Sequence, residues 1–221
     1  MSSLLLNCLP YVYSDIRSLD QSITSLVIPK LGCNDFNNVA MCFSRFTQIE
    51  SIETGNDCFV PIRKFKIDGF NRLKTLKIGD RCFFKSIYYD IQNTCLKFYI
   101  LNCVSLRLIE IGCNCFPGVQ TFIIDGLSSL ETLIIGSNSF THLIGAAENN
   151  YMKSFYILNC ESLKSIQIGE NSFSDFGGEF ELRNLPQLQS IQIGTIGSNS
   201  CNFTRCSCVI QGFDMMQCNE Y

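Results

Sequence analysis

CESLKSIQIGENSF, residues 160–173, is the stretch on which the fold of this chain turns. Lys164-Ser165-Ile166-Gln167-Ile168 alternates polar and apolar side chains, the period of a half-buried β-strand. It then runs into Gly169-Glu170-Asn171-Ser172-Phe173, an ending that a lone strand has no use for. The string recurs. Aligned on Leu163-x-x-Ile166-x-Ile168-Gly169, six further copies begin at Ile23, Ile49, Leu73, Leu106, Leu130 and Leu188. Successive starts lie 26, 24, 33, 24, 33 and 25 residues apart.

Three copies continue to an Asn and then a Phe two residues on: Asn114/Phe116, Asn138/Phe140 and Asn171/Phe173. Asp57/Phe59 and Arg81/Phe83 hold the same places. A second pattern precedes the copies, carried by Phe65/Ile67/Phe70, Phe98/Ile100/Cys103, Phe122/Ile124/Leu127, Phe155/Ile157/Cys160 and Phe180/Leu182/Leu185, with Met41/Phe43/Phe46 a weaker version. Each unit is too short to bury its own apolar stripe, so the units must stack and share one core. Two alternating segments per turn predict two narrow parallel sheets, their strands ~4.8 Å apart along a stack on the order of 34 Å long. No segment has a helical period, so little helix is expected.

The L-x-x-L-x-L-x-x-N-x-F string resembles the leucine-rich repeat signature. With the preceding C-x-x-L-x-x-I-x-I segments and a period near 24, the chain is most similar to the BspA-like subfamily, over about residues 20–213. The resemblance implies a mostly β repeat solenoid. It also implies a recognition role, adhesion or cell-surface binding, although a fold of this kind serves many functions. Residues 1–19 are expected to be an N-terminal cap or irregular segment and 214–221 a C-terminal tail. A higher-order unit is visible as well: Leu73 to Leu130 and Leu106 to Leu163 both span 57 residues. The longer units carry extra loops at Phe84–Cys95 and Thr141–Tyr151.

Composition closes off several functions. The 221 residues are 46% hydrophobic with a net charge of −3, which argues against nucleic acid or an anionic membrane as partner. No apolar run approaches the ~18 residues of a membrane-spanning helix. Nor does Leu4-Leu5-Leu6 reach the roughly 7–15 apolar residues of a secretion signal, so the chain as given reads as cytoplasmic, with the cell surface as alternative for a piece of a longer protein. A single His, His142, leaves little room for acid–base or nucleophilic pairs, and no cofactor or metal-ligand spacing stands out. We expect no enzyme.

Outward positions are therefore where function is sought. In the first sheet one outward column is Ser25, Ser51, Thr75, Leu108, Thr132, Ser165 and Ser190, which suits an exposed strand face. The next is Val27, then Glu53, Lys77, Glu110, Ile134, Gln167 and Gln192, the most variable column and the candidate for specificity. The third is Pro29 followed by Gly55, Gly79, Gly112, Gly136, Gly169 and Gly194, where either a Cβ would clash or φ must be positive. In the second sheet Tyr99, Ile123 and Tyr156, flanked by Leu101 and Leu158, suggest a contact patch, unless the extra loops with Tyr88, Tyr89 and Tyr151 cover it. Residues 63–85 hold eight of the 17 basic residues and a local charge of +6, either a solvated turn or a site for an acidic partner.

Fourteen cysteines remain. Cys58, Cys82 and Cys115 share a column with Ser139 and Ser172, while Cys103 and Cys160 alternate with Phe70, Leu127 and Leu185. That interchange reads as small buried thiols, with a bridge between adjacent members of the Cys58, Cys82 and Cys115 column as the alternative where geometry allows. Cys208 stands in for a core Phe, and with Cys201, Cys206 and Cys218 it forms a local cluster beyond the regular column pattern that suggests a disulfide cap. Asn202-Phe203-Thr204 is a glycosylation sequon. Two functions follow: a non-catalytic module presenting its sheet to a protein or glycan, or a structural subunit stacking into fibres through the unfinished unit that begins at Cys208.

Overall fold

The computed structural model describes residues 3–5, 22–32, 34, 47–59, 65–84, 96–141, 153–195, 199–203 and 206–211, and every structural statement below concerns these. They hold fourteen strands and no helix. The first sheet contains β1 (Ser3–Leu5), β2 (Ser25–Ile28), β3 (Ser51–Thr54), β5 (Thr75–Ile78), β7 (Leu108–Ile111), β9 (Thr132–Ile135), β11 (Ser165–Ile168) and β13 (Ser190–Ile193), in that order. The second runs β4 (Phe65–Asp68), β6 (Leu96–Leu101), β8 (Val119–Asp125), β10 (Ser154–Leu158), β12 (Glu179–Arg183) and β14 (Ser207–Gln211). From β3 onward the chain crosses between sheets at every strand, and all neighbours are parallel. The two parallel sheets expected from the repeats are present. Ser3–Leu5, inside the segment expected to be a cap, adds an edge strand with Leu4 opposite Leu26.

The strands are short because only two residues of each must face inward. In β3, β5 and β11 the second and fourth residues are buried and the first and third are not. That is the alternation a pleated strand imposes on a one-sided core. Register is invariant: Ser25, Ser51, Thr75, Leu108, Thr132, Ser165 and Ser190 stand opposite one another. A slip by one residue would expose every Leu and Ile. The extra residue in β8 is absorbed as an irregularity between Leu96 and Lys97 of its neighbour β6.

Between the sheets lie two columns of phenylalanine. Phe65, Phe98, Phe122, Phe155 and Phe180 stack with centroids 4.8–5.0 Å apart and rings within 8° of parallel. Phe59, Phe83, Phe116, Phe140, Phe173 and Phe203 form a second stack at 4.4–5.1 Å. The columns meet edge to face, as in Phe98–Phe116 at 5.0 Å and 78°. Each such pair adds roughly 0.5–1.5 kcal/mol to the burial of the rings. The second column is in the left-handed region, Phe116 at φ 54° and Phe140 at φ 55°. For a bulky residue that is strained by about 1–2 kcal/mol, which the ring contacts offset.

Candidate functional site

From β3 onward each first-sheet strand is followed by a glycine, and the reason is space. A Cβ on Gly136 would lie 2.6 Å from the Cys113 nitrogen and from the carbonyl carbon of Gly112. Gly79, Gly112 and Gly169 meet the preceding turn at 2.5–2.7 Å in the same way. Only Gly194 of this column has positive φ, at 69°. The chain then steps into the left-handed region on Asp57, Arg81, Asn114, Asn138 and Asn171, and again two residues later on phenylalanine. This alternation turns successive N–H groups opposite ways. Asn138 N donates forward to Glu170 O at 2.8 Å, and Phe140 N donates back to Cys115 O at 2.8 Å.

Between these two residues sits the Cys/Ser column, and its members share a task. Cys58, Cys82 and Cys115 donate to the carbonyls of Pro29, Gly55 and Gly79, each at 3.1 Å. Ser139 and Ser172 donate to Gly112 O and Gly136 O at 2.8 and 2.7 Å. A small donor is required here, which is why thiol and hydroxyl exchange. The next place is held by Asn202, whose Nδ2 donates to Gly169 O at 2.9 Å and to Ser172 O at 2.8 Å. The sequon asparagine is thus part of the stack. A glycan on Nδ2 would leave one N–H and break one of those bonds.

The outward column expected to carry specificity is assembled as one line. Glu53, Lys77, Glu110, Ile134, Gln167 and Gln192 are consecutive register partners across β3, β5, β7, β9, β11 and β13. Four of the six are exposed, and Glu110 and Ile134 are half-buried. Lys77 Nζ and Glu110 Oε2 pair at 3.2 Å. Beside the line, Ser51 donates to Ser25 at 2.8 Å. Beyond that, Lys74 pairs with Glu50 at 2.7 Å and Lys164 with Glu131 at 2.9 Å. The lysine hydrogen bonds hold the Glu50 and Glu131 carboxyls below their ordinary range. The face is a ribbon of hydroxyls, amides and paired charges with Val27, Leu108 and Ile134 half-buried among them. An open groove of ≈ 610 Å³ adjoins it, lined by Glu131, Glu161, Ser162, Lys164, Asn184, Pro186 and Gln187.

On the second sheet Tyr99, Ile123 and Tyr156 are consecutive partners, all half-buried. The flanking leucines are not adjacent: Asp125 stands between Leu101 and Leu158. Lys97 Nζ lies 5.9 Å from the Tyr99 ring centre, and Tyr156 donates to Glu179 at 2.6 Å. Burial, then that carboxylate, pushes the Tyr156 phenol up. This patch is narrower and more charged at its margins than its sequence suggests. Tyr88, Tyr89 and Tyr151, with most of the two extra loops, lie outside the described residues.

The basic stretch loses half of its excess in three dimensions. Lys66 pairs with Asp68 at 2.9 Å, Lys74 with Glu50, Lys77 with Glu110, and Arg81 with Asp57 at 2.6 Å. Three of those carboxylates belong to neighbouring turns, so a window of sequence does not contain them. Arg63, Lys64 and Lys85 are outside the described residues.

Cys201, Cys206 and Cys208 are free thiols, and Cys218 lies outside the described residues. Cys206 donates to Phe176 O at 3.1 Å, while Cys201 and Cys208 are exposed. Burial pushes Cys206 and Cys103 up to about 11, and Cys160 to about 12. No group of three or more His, Cys, Asp or Glu able to hold a metal occurs among the described residues. A buried ionic pair also escaped the sequence reading. Lys153, at a position that flanks Phe155, is buried with its Nζ on Asp175 Oδ2 and 5.8 Å from the Phe176 ring centre. Asp175 Oδ1 is shielded from solvent with no donor.

Comparisons with known protein families, with characterised proteins and with solved structures return no match for this chain.

Proposed function

We propose that this chain is a leucine-rich-repeat solenoid of the BspA-like type. It serves as a non-catalytic recognition module that presents its first sheet to a protein or a glycan, in the manner of an adhesin. The observation that carries the reading is the single outward line Glu53–Lys77–Glu110–Ile134–Gln167–Gln192. Repeats that keep their inward residues nearly constant vary these six, which is what a surface tuned to a partner requires. Its mix of amides, hydroxyls and paired charges favours a polar partner held by many modest contacts over a buried small molecule. The test is a screen of the purified chain against extracellular proteins and immobilised oligosaccharides. Lys77→Ala, Glu110→Ala and Gln167→Ala combined should then weaken any binding found. Binding unaltered by the triple variant removes the assignment to this line.

A second reading has its own observation. Ile191, Ile193 and Ile210, on the last described strand of each sheet, are 38–51% exposed. Their counterparts one turn earlier, Ile166, Ile168 and Leu182, are at most 2% exposed. A chain that leaves core positions open at one end is suited to self-association through that end. Particle mass measured against concentration tests this directly.

A further inference from the structure

We propose that the open C-terminal end of the stack docks face to face on the same end of a second copy, giving a closed two-fold dimer and not a fibre. This rests on the self-association reading and specifies its partner and geometry. Three features of the face point to a second copy. It is flush: β13 and β14 are the outermost strands of both sheets.

It is uncharged. Ser190-Ile-Gln-Ile193 and Ser207-Cys-Val-Ile-Gln211 contain no Lys, Arg, Asp or Glu. Exposed edge strands ordinarily carry such residues as a guard against pairing, and their absence permits it. Two strands with no charge also meet their own copies without repulsion.

It is self-complementary in register. Antiparallel pairing of β13 with its copy centred on Gln192 sets Ile191 against Ile193, and both sit in the inward register of Ile166 and Ile168. Pairing of β14 with its copy centred on Val209 sets Cys208 against Ile210, the inward register of Phe180 and Leu182. Both isoleucine pairs then lie between the sheets, as every other turn's do. The axis passes beside two side chains, Gln192 and Val209, each facing itself. An interface of this symmetry uses the face in both copies and stops at two.

The experiment is sedimentation equilibrium of the full chain over a wide concentration range, with reductant present so that exposed Cys201 and Cys208 do not cross-link. A reversible monomer–dimer equilibrium with no larger species is expected. Val209→Lys should weaken it by roughly 30-fold or more, as removal of a central contact does. Val209→Glu should do the same. Mixing the two should restore the dimer, because only a two-fold axis places position 209 of one copy against position 209 of the other. Particles that grow without limit overturn the dimer while leaving self-association standing. A chain that stays monomeric throughout, whether the face is covered by residues 212–221 or left in water, overturns both. A dimer untouched by either Val209 variant places the contact elsewhere and overturns the inference.

Discussion

The chain leaves its two sheets at two different kinds of corner. Leaving the first sheet it passes through Gly136 or its equivalents, where a Cβ would sit 2.6 Å from the backbone of the turn before. Leaving the second it passes through Gly69, Asn102, Gly126, Asn159 and Asn184, all at φ between 53° and 72°. There a Cβ on Gly69 would meet nothing within 4 Å. One corner is limited by room and the other by torsion. The second corner also explains the doubled unit. Asp68 accepts from Asn102 at 3.0 Å, and Asp125 accepts from Asn159 at 2.8 Å. An Asp-Gly turn and a Leu-Asn turn alternate over Asp68–Asn159 because Asn102 and Asn159 each reach back to the aspartate of the turn before, while Asn184 donates instead to Asn159 Oδ1 at 3.0 Å.

The sharpest way to break this contrast is to give both corners the same methyl. Gly136→Ala must force two turns apart and is expected to destabilise by about 3 kcal/mol. Gly69→Ala adds only left-handed strain, about 1 kcal/mol, and Gly69→Asn less still. Chemical denaturation midpoints at constant slope measure both. Equal losses would show that room is not what selects glycine in the first corner. The cysteines extend the test. Cys115→Leu places a branched side chain where Gly79 O expects a donor and should lose about 3 kcal/mol. Cys160→Leu, in a column already holding Leu127 and Leu185, should stay within about 1 kcal/mol of the parent.

How far sequence alone reached follows from the distance between cause and partner. The inward Leu and Ile positions were legible because burial forces a period of two within four residues. The glycine column was legible as a column, yet its cause was open between clash and φ, since the clashing atoms lie a turn away. The Asp–Asn bonds of the second corner were not legible. Their partners are separated by 34 residues, and nothing local marks them as a pair. The same holds for Lys153 and Asp175, and for the carboxylates that pair with the basic stretch. Phe203 was missed for another reason. It follows Gly194 by nine residues where Phe173 follows Gly169 by four, so the insertion hid a ring that stacks on Phe173 at 5.0 Å. Of the candidate site, the outward line was found whole because register preserves spacing. The tyrosine patch was overestimated because Asp125 was not placed between its leucines.

The second corner also predicts an alkaline weakness. Cys103 and Cys160 are fully buried there and pushed up to about 11 and 12 by that burial, against roughly 8.5 in an unfolded chain. Folded chains therefore hold protons that unfolded ones release. Stability should be level below about pH 8.5 and fall as pH rises from there toward the folded values, by at most about 1.4 kcal/mol per pH unit for each thiol. Denaturation midpoints between neutral pH and pH 10.5 would follow it, and Cys160→Leu should flatten the decline. A decline unchanged in that variant assigns the alkaline loss to other groups.

The smallest effect is expected where the first corner departs from its own rule. Arg81 occupies the left-handed position that Asn114, Asn138 and Asn171 hold elsewhere, at φ 53°. It also grips Asp57 through two nitrogens at 2.6 and 3.0 Å, and that hydrogen bonding holds the Asp57 carboxyl below its usual range. Arg81→Asn exchanges an exposed ion pair, weakened by solvent screening, for a residue that visits this region more readily. The two changes oppose each other and should leave stability within about 0.5 kcal/mol of the parent. Salt separates them. The parent's stability should fall slightly as ionic strength rises and the variant's should not, because only the pair is screened. A large loss on Arg81→Asn, insensitive to salt, would mean that the arginine stem packs on its neighbours and that torsion is not what governs this position.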